Sequence, residues 1–240
     1  MGRRFLALHL ISGTDEERVQ RSLKEVSALQ QFGVEYKLIN NPLYTELPPK
    51  ETCRRPEAVR ADLHKLEDTG EEHWYELNPR HYGCFKAHKD SILENFKGYL
   101  DGLLVFECDA VCAVVLEEFY SRLLKLDEIC KAHPDIFIVQ LGFRHAGVTK
   151  EIIEDLYVIN QFIGTHAYFL PGSSREKIFE LLNNRPWDAM DMWYTHYCTI
   201  ENLKIAIFND RPIWNQADGP SYIQAWVSSS ETTYKNTRYK

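Results

Sequence analysis

Two carboxylates one residue apart close the apolar run LLVFECD at 103–109. Glu107 and Asp109 are hard oxygen donors, and such a pair suits Mg²⁺ or Mn²⁺ bridging to the phosphates of a ligand. An apolar run of this length reads as a core strand, which places the acids at the C-terminal rim of a sheet, where open α/β sheets bind their ligands. The ordinary alternative is a strand that ends in solvated acids. If the chain stays extended through Cys108, both acids face one side and the thiol, a poor partner for a hard ion, turns into the core. Upstream, His81, Cys84, His88 and Ser91 fall on one stripe of a helical pattern, beside an apolar face of Tyr82, Phe85, Leu93 and Phe96.

The elements that must position these residues follow from periodicity and breakers. RFLALHLI at 4–11 reads as a first strand. After the turn SGTD, residues 15–32 show helical spacing through Val19, Leu23, Val26 and Leu29, stopped by Gly33. VEYKLI at 34–39 is a second strand, and the β-α-β order favours a parallel sheet with a right-handed crossover. The Pro-rich stretch 40–57 lacks periodicity and is the kind of long connection that forms lids or binding loops. Helices are expected over 81–96 and 114–133, the second stopped by Pro134, with a strand over 135–142. Further on, 156–172 reads as two strands joined near 162–164. Ser173 or Ser174 caps a helix through Leu182, a further helix covers about 187–198, and 203–209 is a last strand.

The expected fold class is therefore α/β in one domain, residues 1–227, with a mainly parallel first half (1–142) and a mixed second half (143–227). The polar, basic stretch 228–240 is expected to be a flexible tail. At 240 residues the chain can bury a substantial core. A formal charge of −7 argues against a global nucleic-acid surface, although Arg3-Arg4, Arg54-Arg55 and the tail are locally basic. No apolar run approaches the roughly 20 residues of a membrane span. The start, MGRRFLALHLISGTDEE, fits a first strand better than a signal peptide. Six dispersed cysteines without a CxxC pair point to reduced thiols and a cytoplasmic location.

Several blocks together resemble the glycosyltransferase family 25 group, the lipooligosaccharide and collagen-type sugar transferases. The strand-then-helix opening with Glu17-Arg18 is similar to the family's start. YGCFKAHKDSI at 82–92 resembles its Gly-Cys…Ser-His helix, with Ala87 in place of the Ser. LLVFECDA resembles its strand ending in Glu-Asp-Asp, with Cys108 in the middle. GTHAYFL at 164–170, WDAMDMWY at 187–194 and QADGPSYI at 216–223 are similar to its later blocks. The order of the blocks covers about 5–223, and 40–78 matches least.

The resemblance implies a GT-A-like fold with a nucleotide-binding half and an acceptor-binding half. It also implies transfer of a sugar from a nucleotide donor, often UDP-linked, with inversion. On that reading a divalent cation, Mn²⁺ or Mg²⁺, is held by Asp109 and Glu107. Asp191 is the general base, flanked by Trp187, Trp193 and Tyr194 as rings of the kind that stack on sugars, and Asp188 is the reserve base. His88 and His166 are placed to contact the donor, and His196 to complete the metal shell. Ser12 and Arg18, after the first strand, hold the nucleotide, while Gln216 and Ser221 close over donor or acceptor. The acceptor would carry a hydroxyl: a glycan foremost, with a protein side chain or a modified nucleobase as the others. A different class of function is a degenerate family member that binds a glycan or nucleotide without catalysis, an alternative prompted by Cys108 and Ala87.

Overall fold

Strand β1 (Phe5–Ile11) is buried along almost its whole length, as befits a central strand covered by helices on both faces. In the computed structural model, residues 4–11, 16–49, 52–53, 79–143, 145–208 and 212–216 are described. Helix α1 (Glu16–Ser27) and a 3-10 turn (Ala28–Phe32) follow β1, and the turn ends at Gly33 with φ 78°. Glycine takes that left-handed conformation without steric cost, so the helix stops where the sequence indicates. β2 (Glu35–Asn40) and β3 (Gly102–Glu107) pair parallel to the two sides of β1.

Between β2 and β3 lies α2 (Pro79–Asn95). After β3 come β4 (Ala110–Cys112), α3 (Leu116–Ala132) and β5 (Ile136–Gly142). Then follow β6 (His145–Ile153), β7 (Leu156–Ile163), β8 (Ala167–Pro171), α4 (Arg175–Asn184), α5 (Met190–Ile200), β9 (Lys204–Phe208) and β10 (Trp214–Gln216). Eight strands form one sheet in the order β2-β1-β3-β8-β5-β9-β7-β6, and β10 with β4 makes a separate ribbon. β8 runs antiparallel between β3 and β5, so parallel pairing is confined to β2-β1-β3 and β5-β9. The class is α/β, parallel through its first three strands and mixed beyond them. Among the described residues no helix is long and apolar enough to cross a membrane.

Alternation along the strands divides the core in two. Leu6, Leu8, Leu10, Leu103 and Val105 pack with Phe85 and Ile92 of α2, with Phe96 just beyond it, and with Trp193, Tyr194 and Tyr197 of α5. On the other face Phe5, Ala7, Leu104 and Phe106 pack with Val26 of α1, Phe119 and Leu123 of α3, and Trp214. Glu107 shares the parity of Leu103 and Val105 and is thereby delivered to the α2 face.

Four details depart from the sequence reading. β3 ends at Glu107, and Cys108 and Asp109 form a turn into β4, so alternation does not extend to Asp109 and Cys108 is half-buried rather than in the core. β6 has no counterpart in the periodicity analysis. It is one of the sheet's two edge strands, with polar residues in both parities of HAGVTKEII, and it is held by its hairpin with β7. α5 begins at Met190, later than expected, which leaves Asp188 ahead of the helix and off any shared helical face with Asp191. Ser174 precedes α4 without capping it, because its hydroxyl donates instead to the Pro171 carbonyl at 2.8 Å.

Gly102 opens β3 at a point where a Cβ would lie 2.2 Å from the Phe169 ring and 3.2 Å from the Leu170 carbonyl. Gly102→Ala is expected to lower the unfolding free energy by about 1–3 kcal/mol through overpacking. The check is a lower urea midpoint at constant slope; an unchanged midpoint would show that the Phe169 ring yields freely.

Candidate functional site

Glu107 ends β3 next to the C-terminal end of β1, in register with Leu10. Its backbone N–H donates to the His166 carbonyl at 2.9 Å, which ties the strand end to the segment that enters β8. Three side chains converge on one carboxylate oxygen, Oε1. The Thr165 hydroxyl donates at 2.5 Å, His88 Nε2 lies at 3.2 Å, and the Cys84 thiol donates at 3.9 Å. None of these three bonds uses Oε2, and 26% of the Glu107 side chain is exposed. Burial alone would push the carboxyl up. The hydrogen bond and charge of His88, with Thr165 and His166, outweigh it and hold Glu107 below its ordinary value.

His88 is itself fixed on both sides. Its Nδ1 lies 2.7 Å from the Tyr168 hydroxyl, and the two rings stack at 5.6 Å and 18°. Both ring nitrogens are thus engaged with the protein, and His88 acts on Glu107 as a positioning group. Cys84 sits one turn earlier on α2. Burial pushes its thiol well up, and the charges of Glu107, Asp191 and Asp109 push in the same direction. Those three acids come from a strand end, a turn and a helix start, and their fields meet at one thiol.

Asp191 opens α5 and is held by two backbone donors. Gly164 N–H reaches Oδ2 and Met192 N–H reaches Oδ1, both at 2.9 Å. Gly164 has φ 96°, a left-handed conformation that suits glycine and aims its N–H at the carboxylate. Burial of the carboxyl raises Asp191 above its ordinary value. The two N–H bonds oppose that rise, and Glu107 and Asp188 add to it. A carboxylate lifted in this way accepts a proton more readily near neutral pH. Asp188 is buried, with Oδ1 accepting the Ala189 N–H at 2.8 Å.

The other expected site residues are distributed as follows. Asp109 is buried in the turn after β3. His166 is buried beside Gly142, where a Cβ would come within 2.6 Å of its ring. Gln216 ends β10 opposite Ala110 of β4, which brings its backbone next to Asp109. His196 lies edge-on to Tyr197 at 4.8 Å and is not in the donor group of Cys84, His88 and Glu107. Arg18 lies in α1; Ser12, Ser221 and the tail fall outside the described residues. The aromatic setting of Asp191 is core rather than a sugar platform: Trp187, Trp193 and Tyr194 are all buried. Tyr44 of the long connection packs on Tyr82, and Tyr82 on Trp187, at 5.3 and 5.0 Å. Thr165 carries no signal in the sequence that would mark it as a Glu107 partner, and the spacing of Cys84 and His88 shows only that the two share one stripe of α2.

Glu107 and Asp191 are tied through consecutive residues, Thr165 and Gly164, while the donor atoms that lie within 4.8 Å of one another among the described residues are those of Cys84, His88 and Glu107.

No protein-family model matches the chain, and no curated protein sequence matches it. Among solved structures it is similar to a glycosyltransferase involved in the glycosylation of the major capsid of PBCV-1. That match has TM-score 0.44 and 12% identity, and covers 85% of this chain and 81% of that one. It is also similar to mannose-1-phosphate geranyltransferase from Thermus thermophilus (TM-score 0.43, 9% identity, 88% and 75% covered). A third is 4-diphosphocytidyl-2C-methyl-D-erythritol synthase from Anaerococcus prevotii (TM-score 0.42, 10% identity, 85% and 86% covered). At these scores the likeness carries no argument about activity.

Behind Glu107 a second polar chain links three elements. Tyr36 of β2 meets His9 Nδ1 at 3.2 Å, His9 Nε2 meets Ser22 of α1 at 2.9 Å, and the Ser22 hydroxyl reaches the Glu107 carbonyl at 3.5 Å. Burial pushes His9 down to about 4, against a smaller upward pull from the Glu107 backbone, and pushes His81 down to about 4. Both are kept neutral in the fold and regain a value of 6.5 when exposed. Stability present above that value is therefore lost as pH falls toward about 4, by about 3 kcal/mol for each histidine. His9→Gln is expected to remove about half of that pH dependence in urea midpoints measured across the window. An unaltered slope would show that His9 is not buried neutral.

Proposed function

We propose that the chain is a metal-dependent glycosyltransferase, GT-A-like in layout, that moves a sugar from a nucleotide donor, UDP-linked, to an acceptor hydroxyl with inversion. The observation that supports this reading is that Glu107 at the end of β3 and Asp191 at the start of α5, far apart in sequence, are held by the consecutive residues Thr165 and Gly164, with Asp109 in the turn directly after β3. The parallel strands and the helix that follows β1 supply the kind of rim at which nucleotide phosphates bind.

In the reaction the acceptor oxygen forms a bond to the anomeric carbon as the bond to the diphosphate oxygen breaks. The electron pair leaves with the diphosphate, and the hydroxyl proton passes to Asp191. Two backbone N–H groups fix the Asp191 carboxylate, so its orientation is set before the acceptor arrives. Asp188, bonded to its own helix start, adds charge that keeps Asp191 basic. Mn²⁺ or Mg²⁺, when held by Glu107 and Asp109, would neutralise the leaving diphosphate. Thr165, His88 and Cys84 keep Glu107 in place through Oε1, and the acceptor is of the hydroxyl-rich glycan class.

The test is release of nucleoside diphosphate from a panel of nucleotide sugars, with and without Mn²⁺. Metal-dependent release that chelation abolishes and that Asp109→Ala removes is the expected result. Binding of UDP with Mn²⁺ but without turnover of any donor would favour the catalytically degenerate alternative, and absence of both would sink the assignment.

Asp191→Asn is expected to lower kcat by about 10²–10⁴-fold with little change in KM. The base must be deprotonated to act. In the unaltered chain kcat should therefore fall on the acid side as pH drops through the raised Asp191 value, and the residual activity of Asp191→Asn should lack that limb. A retained acid limb in the variant would assign the proton to another group.

A further inference from the structure

Cys84 and His88 stand four apart on α2 and so share one face of the helix. Both reach the end of β3. The Cys84 sulfur lies 3.9 Å and His88 Nε2 3.2 Å from Glu107 Oε1, and all three atoms lie within 4.8 Å of one another. In a tetrahedral site with Zn–S of about 2.3 Å and Zn–N and Zn–O of about 2.1 Å, the S···O and N···O separations are about 3.6 and about 3.4 Å. The observed distances of 3.9 and 3.2 Å lie within a few tenths of an ångström of these.

We propose that Cys84, His88 and Glu107 form a three-ligand site for a borderline divalent cation of the zinc class. The donor set decides the ion: thiolate and imidazole select Zn²⁺ over hard Mg²⁺. The surroundings are those of a metal site as well. The Tyr168 hydroxyl holds His88 Nδ1 at 2.7 Å, and the Thr165 hydroxyl holds Glu107 Oε1 at 2.5 Å, as outer partners orient metal-bound imidazoles and carboxylates. Among the described residues no other group of three such side chains comes together. Three protein ligands leave a fourth position for water or a substrate oxygen. Binding displaces the Cys84 proton, and Asp109 and Asp191, whose charge reaches that thiol, favour the incoming cation. The site needs neither nucleotide nor sugar and stands without the transfer reading; since Glu107 belongs to both, zinc competes there with the harder ion.

Titration of the untagged, metal-free chain with Co²⁺, the spectroscopic substitute for zinc, tests it. One equivalent is expected to bind with a thiolate-to-cobalt charge-transfer absorption, which Zn²⁺ bleaches and excess Mg²⁺ does not. Tyr168→Phe should keep the absorption and weaken binding by about 10–100-fold, and Cys84→Ser should abolish the absorption with a larger loss of affinity. No absorption in the unaltered chain, or one that survives Cys84→Ser, overturns the proposal. Mass mapping of alkylated cysteines gives a readout without mutation. Zn²⁺ must protect Cys84 and leave Cys112 unprotected, and equal rates at Cys84 with and without Zn²⁺ overturn the proposal too. Mn²⁺-dependent transfer without the cobalt absorption would refute this site alone, and the absorption without turnover of any donor would refute the transfer reading alone.

Discussion

A carboxylate at the end of a buried strand must find donors within the protein or stay in water, and Glu107 does much of the first. Its Oε1 draws the Thr165 hydroxyl, the His88 ring and the Cys84 thiol to one point. Each donor comes from a different place in the chain or is one turn removed from its neighbour, so satisfying this one oxygen aligns α2 with β3 and with the entry to β8. The same constraint that stabilises the fold therefore fixes the geometry of the site.

The tie is supported from both faces of the sheet. On the α2 face, Tyr168 stacks on His88 and lies edge-on to Tyr194 at 5.5 Å, so the imidazole is braced by the aromatic core beneath it. On the other face, the Tyr36-His9-Ser22 chain reaches the Glu107 carbonyl. Side chain and backbone of one residue are thus held by separate networks. Rings of a kind that stack on ligands serve this bracing instead, which explains why Trp193 and Tyr194 are fully buried.

Charge gives the site its character. Glu107 is held low by His88, whereas Asp191 is lifted by burial and by Glu107 and Asp188 against the pull of its two backbone donors. Two carboxylates in one cluster are thereby pushed in opposite directions, one toward permanent charge and one toward proton exchange. That division is the usual basis for giving one acid an electrostatic role and another a proton-transfer role.

Much of the frame was legible in the sequence. The runs read as strands at 4–11, 103–109 and 135–142 fall on β1, β3 and β5, Gly33 marks the end of the first helix, and Pro134 follows the end of α3. These signals are local and depend only on period and breakers. The acids at 107, 109 and 191 and the Cys84–His88 spacing were visible in the same way. The edge strand β6 and the short β4–β10 ribbon were not, because their pairing comes from a partner strand rather than from their own pattern. Nor could the sequence place Thr165 on Glu107, end β3 before Asp109, or bury the rings around Asp191. Those outcomes depend on how β8 inserts antiparallel between β3 and β5. Residue types and spacing by themselves determined which groups could do chemistry. Only the tertiary structure decided which of them share a site, because hydrogen bonding and burial act between residues that sequence distance does not relate.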